Sequence, residues 1–218
     1  MSFYVLDDLL YSRQQAKENP NGRSKMPWCD AYDVHRISGE GEFCPLCGRP
    51  TTARSWERPR TVRLTNTRFP DRLHWYLLSA DLLYVSQRFK TLYEQEHLTG
   101  ISEFERIETV KPPSRYKGET PVYYVAKVPY SQAITLDAEH SVIKGGKSDL
   151  PPCPLCWPLE TSQNTVEKLV LHTENWTGAD ILRVYAVGLV FSQRFYDYVQ
   201  DNQLTNFPLV PVEDYRRL

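Results

Sequence analysis

Ser86-Gln87-Arg88-Phe89 occurs a second time as Ser192-Gln193-Arg194-Phe195, and the chain around the two copies repeats with it. Leu98-Thr99 returns as Leu204-Thr205 at the same separation, and Leu83 returns as Leu189. Several anchors in one order, at nearly one offset and about half the 218-residue length, point to an internal repeat rather than to one chance identity. Each half then reads as the same unit: strand, cysteine turn, extended segments, helix, short strand.

The helices follow from periodicity. Val85, Phe89, Leu92 and Tyr93 share one helical face, as do Phe191, Phe195, Tyr198 and Val199. Both helices are predicted to begin just before Ser-Gln-Arg-Phe and to end near Leu-Thr, with Gly100 as a C-terminal stop. Strands are predicted over 101–110 and 207–212, the second carrying Pro208 and Pro211 and so suited to a sheet edge. Others are predicted over 3–6, 61–66, 122–128 and 168–173. The stretch 111–121, rich in Pro, Gly and charge, reads as a connector, and 145–152 as a mobile loop leading to the second cysteine turn. The expectation is an α+β fold in one compact domain, with residues 1–110 as the first repeat unit, 111–121 joining and 122–218 as the second.

Five cysteines are present, and four of them form two Cys-Pro-Leu-Cys turns, Cys44–Cys47 and Cys153–Cys156. Two thiolates on one tight turn can reach a single ion, and zinc needs four soft ligands placed tetrahedrally. A redox Cys-x-x-Cys sits at a helix start. Here Gly39, Gly41 and Pro50 flank the first pair, and Pro151, Pro152 and Pro158 the second, so structural zinc is preferred over redox chemistry or plain buried thiols. If the halves pack about a pseudo-two-fold axis, the two turns meet and complete one four-cysteine site with no open position, hence one structural zinc ion per chain. The rival arrangement is two separate sites with further ligands from His35, His140 or His172. Cys29 has no partner at metal spacing and reads as a small buried hydrophobe or idle thiol. Pro152-Cys153-Pro154-Leu155-Cys156 resembles half of a zinc-deaminase signature, but the His-x-Glu it requires, His172-Thr173-Glu174, lies downstream instead of upstream. No credible catalytic set emerges, and neither an enzyme nor a small-molecule substrate is expected.

Lys and Arg number 26 against 27 Asp and Glu, a net charge of −1 that argues against a general polyanion binder. No apolar run approaches the ~20 residues needed to span a bilayer, and Asp7 and Asp8 interrupt any leader-like start. A cytoplasmic protein without a membrane partner is expected. Charge is uneven between the halves: 54–72 holds Arg54, Arg58, Arg60, Arg63, Arg68 and Arg72 against Glu57 and Asp71. The matching 160–180 holds Glu160, Glu167, Glu174 and Asp180 against Lys168. Faces of opposite sign would orient a partner. Among 14 tyrosines, Tyr123, Tyr124 and Tyr130 near the connector are interface candidates.

The two cysteine turns, together with Asp180-Ile181-Leu182-Arg183, Val190–Phe195, Leu204-Thr205-Asn206-Phe207 and Val210-Pro211-Val212, resemble the double-CXXCG motif family of bacterial immunity proteins over nearly the whole chain. That resemblance implies Cys44, Cys47, Cys153 and Cys156 as zinc ligands and a cognate protein toxin as the partner, neutralised by binding. Trp157 departs from the pattern, standing where a glycine is expected after the second pair; positive φ comes there at greater steric cost than at Gly48. The alternatives from other classes are a zinc-ribbon-like nucleic-acid-binding module using the 54–72 arginines, and a dithiol oxidoreductase.

Overall fold

Ser86 and Ser192 start the two helices in the same way. Each has extended backbone (φ −71° and −73°), and each side chain accepts a hydrogen bond from the backbone N–H three residues on, Phe89 or Phe195. This satisfies a donor that the first helical turn leaves open. The helices are α1 (Gln87–Gln95) and α2 (Gln193–Asp201). The computed structural model describes residues 2–7, 31–32, 43–48, 58–65, 67–73, 83–144, 153, 155, 165–185 and 187–216. Among these residues the fold is α+β, mostly strands with the two helices, and no helix is long and apolar enough to cross a membrane.

Both helices end in a Schellman turn. His97 (φ 52°) and Gln203 (φ 50°) take the left-handed conformation, and Leu98 N–H and Leu204 N–H reach back to Tyr93 C=O and Val199 C=O. His97 therefore performs the stop expected of Gly100. Gly100 instead permits a close approach between the halves. At φ 112° it lies so near the Ile181 backbone that a Cβ would sit 1.9 Å from the Ile181 carbonyl oxygen.

The strands in chain order are β1 (Phe3–Leu6), β2 (Ala31–Tyr32), β3 (Thr61–Leu64), β4 (Arg72–Leu73), β5 (Leu83–Ser86), β6 (Glu103–Arg106), β7 (Thr109–Lys111), β8 (Tyr123–Lys127), β9 (Thr135–Leu136), β10 (Val142–Lys144), β11 (Thr165–Lys168), β12 (Leu171–His172), β13 (Ile181–Val184), β14 (Gly188–Ser192) and β15 (Leu209–Pro211). Two four-stranded antiparallel sheets, β4-β5-β8-β6 and β13-β14-β1-β15, carry the helices. Smaller sheets are β2-β3-β7, β10-β11 and β9-β12. As Pro208 and Pro211 require, β15 lies at a sheet edge.

Two predicted strands are each divided in two. The 101–110 segment splits at Ile107, whose N–H bonds Tyr123 C=O, so that β6 pairs with β8 while β7 turns to run parallel with β3. The 168–173 segment splits at Val170, whose N–H bonds the Ser141 hydroxyl and whose carbonyl accepts from Asp137 N–H. Beyond the β7 strand, Pro112 to Val122 runs without helix or strand to β8. The 145–152 loop lies outside the described residues.

The central core lies between the helices. Phe89 of α1 and Phe195 of α2 both pack on Phe207, at 5.4 and 5.8 Å between ring centroids, and the Tyr198 hydroxyl donates to Phe89 C=O. Burial pushes the Tyr93 phenol in this core up to about 12, against the hydrogen bond it accepts from Ile101 N–H. Each sheet's opposite face closes a smaller core, around Leu64, Tyr84 and Tyr123 in one case and Phe3, Ile134 and Val190 in the other. Tyr123 is fully buried there with its hydroxyl on Pro70 C=O, which removes it from the interface candidates.

Candidate metal centre

Phe43 precedes the first cysteine turn and is 53% exposed, whereas Cys44 itself is buried. Residues 45–47 form the turn, closed by Gly48 N–H donating to Cys44 C=O at 2.8 Å. Gly48 has φ +70°, the conformation its lack of a side chain favours, with nothing within 4 Å of where a Cβ would stand. The turn thus leads into a left-handed residue at Gly48.

Cys153 from the second turn is also buried, and its Sγ lies 3.9 Å from that of Cys44. Cys47, exposed, completes a group of three whose sulfurs all lie within 4.8 Å of one another. The spacing discriminates between chemistries. A disulfide needs ~2.05 Å between sulfurs. Four thiolates at ~2.3 Å around a tetrahedral ion stand ~3.8 Å apart. The cluster therefore fits a metal-thiolate donor set, drawn from both halves of the chain. Cys156, the fourth predicted ligand, and Cys29 lie outside the described residues.

The histidines go elsewhere. His140 Nδ1 lies 2.8 Å from Asp137 Oδ2, and His172 Nε2 lies 3.7 Å from the same oxygen, so neither joins the thiol group. His35 lies outside the described residues.

The arginines of 54–72 do not form one basic face. Arg60 is buried and pairs with Glu105, which also binds Lys127 at 2.8 Å. Arg58 pairs with Glu105 and Glu108, and buried Arg72 donates to Asn206 C=O. Burial alone would raise the Glu105 carboxyl, but hydrogen bonds from Lys127 and Arg60 outweigh it and hold the group below its usual range. In the acidic twin, Glu167 pairs with Lys144, and Asp180 is buried among hydrogen-bond donors. Arg54 and Glu160 lie outside the described residues. Of the remaining tyrosines, half-buried Tyr130 stacks on Tyr185 at 3.9 Å with the Arg183 guanidinium 4.2 Å from its ring, and Tyr124 donates to Gln87.

Two residues that the charge pattern disguised organise the whole. Asp71 accepts from Ser86 Oγ and Arg88 Nη1, and from both the backbone N–H and the hydroxyl of Thr205. Asp180 accepts from Ser192 Oγ and Arg194 Nη1, and from the N–H and hydroxyl of Thr99. Each arginine's other nitrogen caps the far helix: Arg88 donates to Asn202 C=O and Arg194 to Glu96 C=O, placing a cation at a helix C-terminus. A signal for the two aspartates existed, since they are separated by the same interval as Cys44 and Cys153. Compared with known proteins, the chain matches no family model and no curated protein.

Proposed function

We propose that this chain is an immunity protein: two copies of one ancestral unit, joined at a structural four-cysteine zinc site, that bind and neutralise a cognate protein toxin. The observation that carries the reading is the approach of Cys44 to Cys153 at 3.9 Å, with Cys47 beside them. An all-thiolate set leaves a metal no open position, which suits a scaffold and not a catalyst. Cys156 is the natural fourth ligand, because it stands to Cys153 in its turn as Cys47 stands to Cys44. The matched aspartate and arginine contacts support duplication, and the likeness of the cysteine turns and C-terminal stretch to double-CXXCG immunity proteins supports the partner class.

The test is genetic. The gene is deleted alone and together with its immediate upstream neighbour. Loss of this protein is expected to harm the cell only while the neighbour is intact, and rescue is expected from the chain supplied elsewhere. Equal growth of both deletion strains would count heavily against immunity. A nucleic-acid role draws less support, because Arg58, Arg60 and Arg72 are engaged with carboxylates and a carbonyl.

A further inference from the structure

Each large sheet has at its centre a strand from the other half of the chain. β1, the first strand of the first half, lies between β14 and β15, pairing Tyr4 with Phe191 and Pro211. β8, the first strand of the second half, lies between β5 and β6, pairing Tyr124 with Val85 and Arg106.

The two insertions match in detail. The Tyr4 hydroxyl donates to Gln193 Oε1 and the Tyr124 hydroxyl to Gln87 Oε1, the glutamines of the two Ser-Gln-Arg-Phe copies. Alternation along the strands sends Phe3 and Val5 into the second half's satellite core, and Tyr123 and Val125 into the first half's. Because the strands are central, removing either leaves two unpaired edges and an opened core.

We infer that the two halves recognise each other by reciprocal strand donation, so that the partner fitting each sheet's central slot is the first strand of a second copy of the unit. The chain is a strand-exchanged dimer made covalent by its connector, and the connector is dispensable for the association. The pairing is independent of the metal and of any toxin, so its failure would leave the immunity reading standing, and the converse also holds.

The test uses the full-length chain with a protease site inserted in the exposed connector between Lys117 and Gly118. After cleavage, and with a chelator present so that no ion can join Cys44 to Cys153, the two fragments are expected to elute together at the size of the intact chain and to part only in denaturant. Two cysteine pairs then report the exchange itself. Val5→Cys with Val190→Cys, and separately Tyr84→Cys with Val125→Cys, place thiols on neighbouring strands that belong to different fragments. Antiparallel neighbours stand ~4.5–5.5 Å apart at Cα, within disulfide range. Oxidation is expected to join the fragments in either variant, with the parent chain as the control for its native thiols. Separation of the cut chain in native buffer, or the absence of a link in both pairs, would overturn the proposal.

Discussion

Asp71 holds Thr205 by two hydrogen bonds, at 2.9 Å to its backbone nitrogen and 3.0 Å to its hydroxyl, across 134 residues of chain. Asp180 holds Thr99 in the same way, at 2.9 and 3.1 Å. Each aspartate comes from one half and each threonine from the other, just beyond the helix end. The same carboxylates also receive the helix-start serine and arginine of their own half. One side chain thus fixes a helix start, a helix-to-strand turn and the contact between halves.

Truncating Asp180 should therefore be costly. Its side chain is 2% exposed, and Asp180→Ala leaves the donors of Thr99, Ser192 and Arg194 without their acceptor. With hydrogen bonds to charged groups worth ~1.5–3 kcal/mol each and partial relaxation, a loss of ~3 kcal/mol in unfolding free energy is expected by denaturant titration. Asp180→Asn, which keeps an acceptor oxygen, should lose less. A loss within ~0.5 kcal/mol for the alanine variant would remove the aspartate from this role.

The metal reading makes its own demand. Cys47→Ser and Cys156→Ser should lower bound zinc, measured by elemental analysis, to nearly the same extent if one ion is shared. Retention of half the zinc by either variant would favour two sites. Chelation should lower the melting temperature while leaving cooperative unfolding and helical circular dichroism in place. The helices and their core are held by the aspartates, the exchanged strands and Phe207, unlike a small zinc finger that unfolds without its ion.

Glu105 governs part of the acid response. Its carboxyl titrates below its unfolded value, so its contribution is complete above ordinary glutamate pKa values of ~4.3 and is lost as pH falls through the depressed folded value. Glu105→Gln should lower stability most near neutral pH, where it removes the carboxylate that pairs with buried Arg60, and the gap from the parent should narrow only as pH falls below ~4.3 and through the depressed folded value. A gap that stays constant over that range would assign the ionic contribution elsewhere.

The helices and the first cysteine turn were legible because their signals are local. A serine cap, an apolar face and a two-residue cysteine spacing each declare themselves within one turn of chain. Every position of Ser-Gln-Arg-Phe is put to use. The serine caps, the glutamine meets the exchanged tyrosine, the arginine reaches the far helix, and the phenylalanine enters the shared core. The exchange of β1 and β8 was not legible, because alternation in Phe3–Leu6 tells which faces are buried and not which strands lie alongside. The arginines of 54–72 misled for a related reason. Charge in a sequence has no depth, and Arg60 and Arg72 are buried.

Two of the glycines with positive φ, Gly48 and Gly100, should respond differently to alanine. At Gly48 a Cβ meets nothing within 4 Å, so Gly48→Ala carries only the backbone cost of the left-handed conformation, ~1–2 kcal/mol, and should keep its zinc. At Gly100 the same methyl would stand 1.9 Å from the Ile181 carbonyl oxygen and 2.9 Å from the Ile181 nitrogen. Those are backbone atoms of β13, tied to Thr99 C=O by the N–H groups of Asp180 and Ile181, and they cannot swing aside as a side-chain tip would. Gly100→Ala must therefore separate the Thr99 turn from Asp180, and it should cost at least as much as Asp180→Ala. Combining the two substitutions should add much less than the sum of the single losses, because both break the same contact. Thermal and denaturant unfolding of the two single variants and the double variant decide the matter. Full additivity would mean that the glycine and the aspartate secure different parts of the fold.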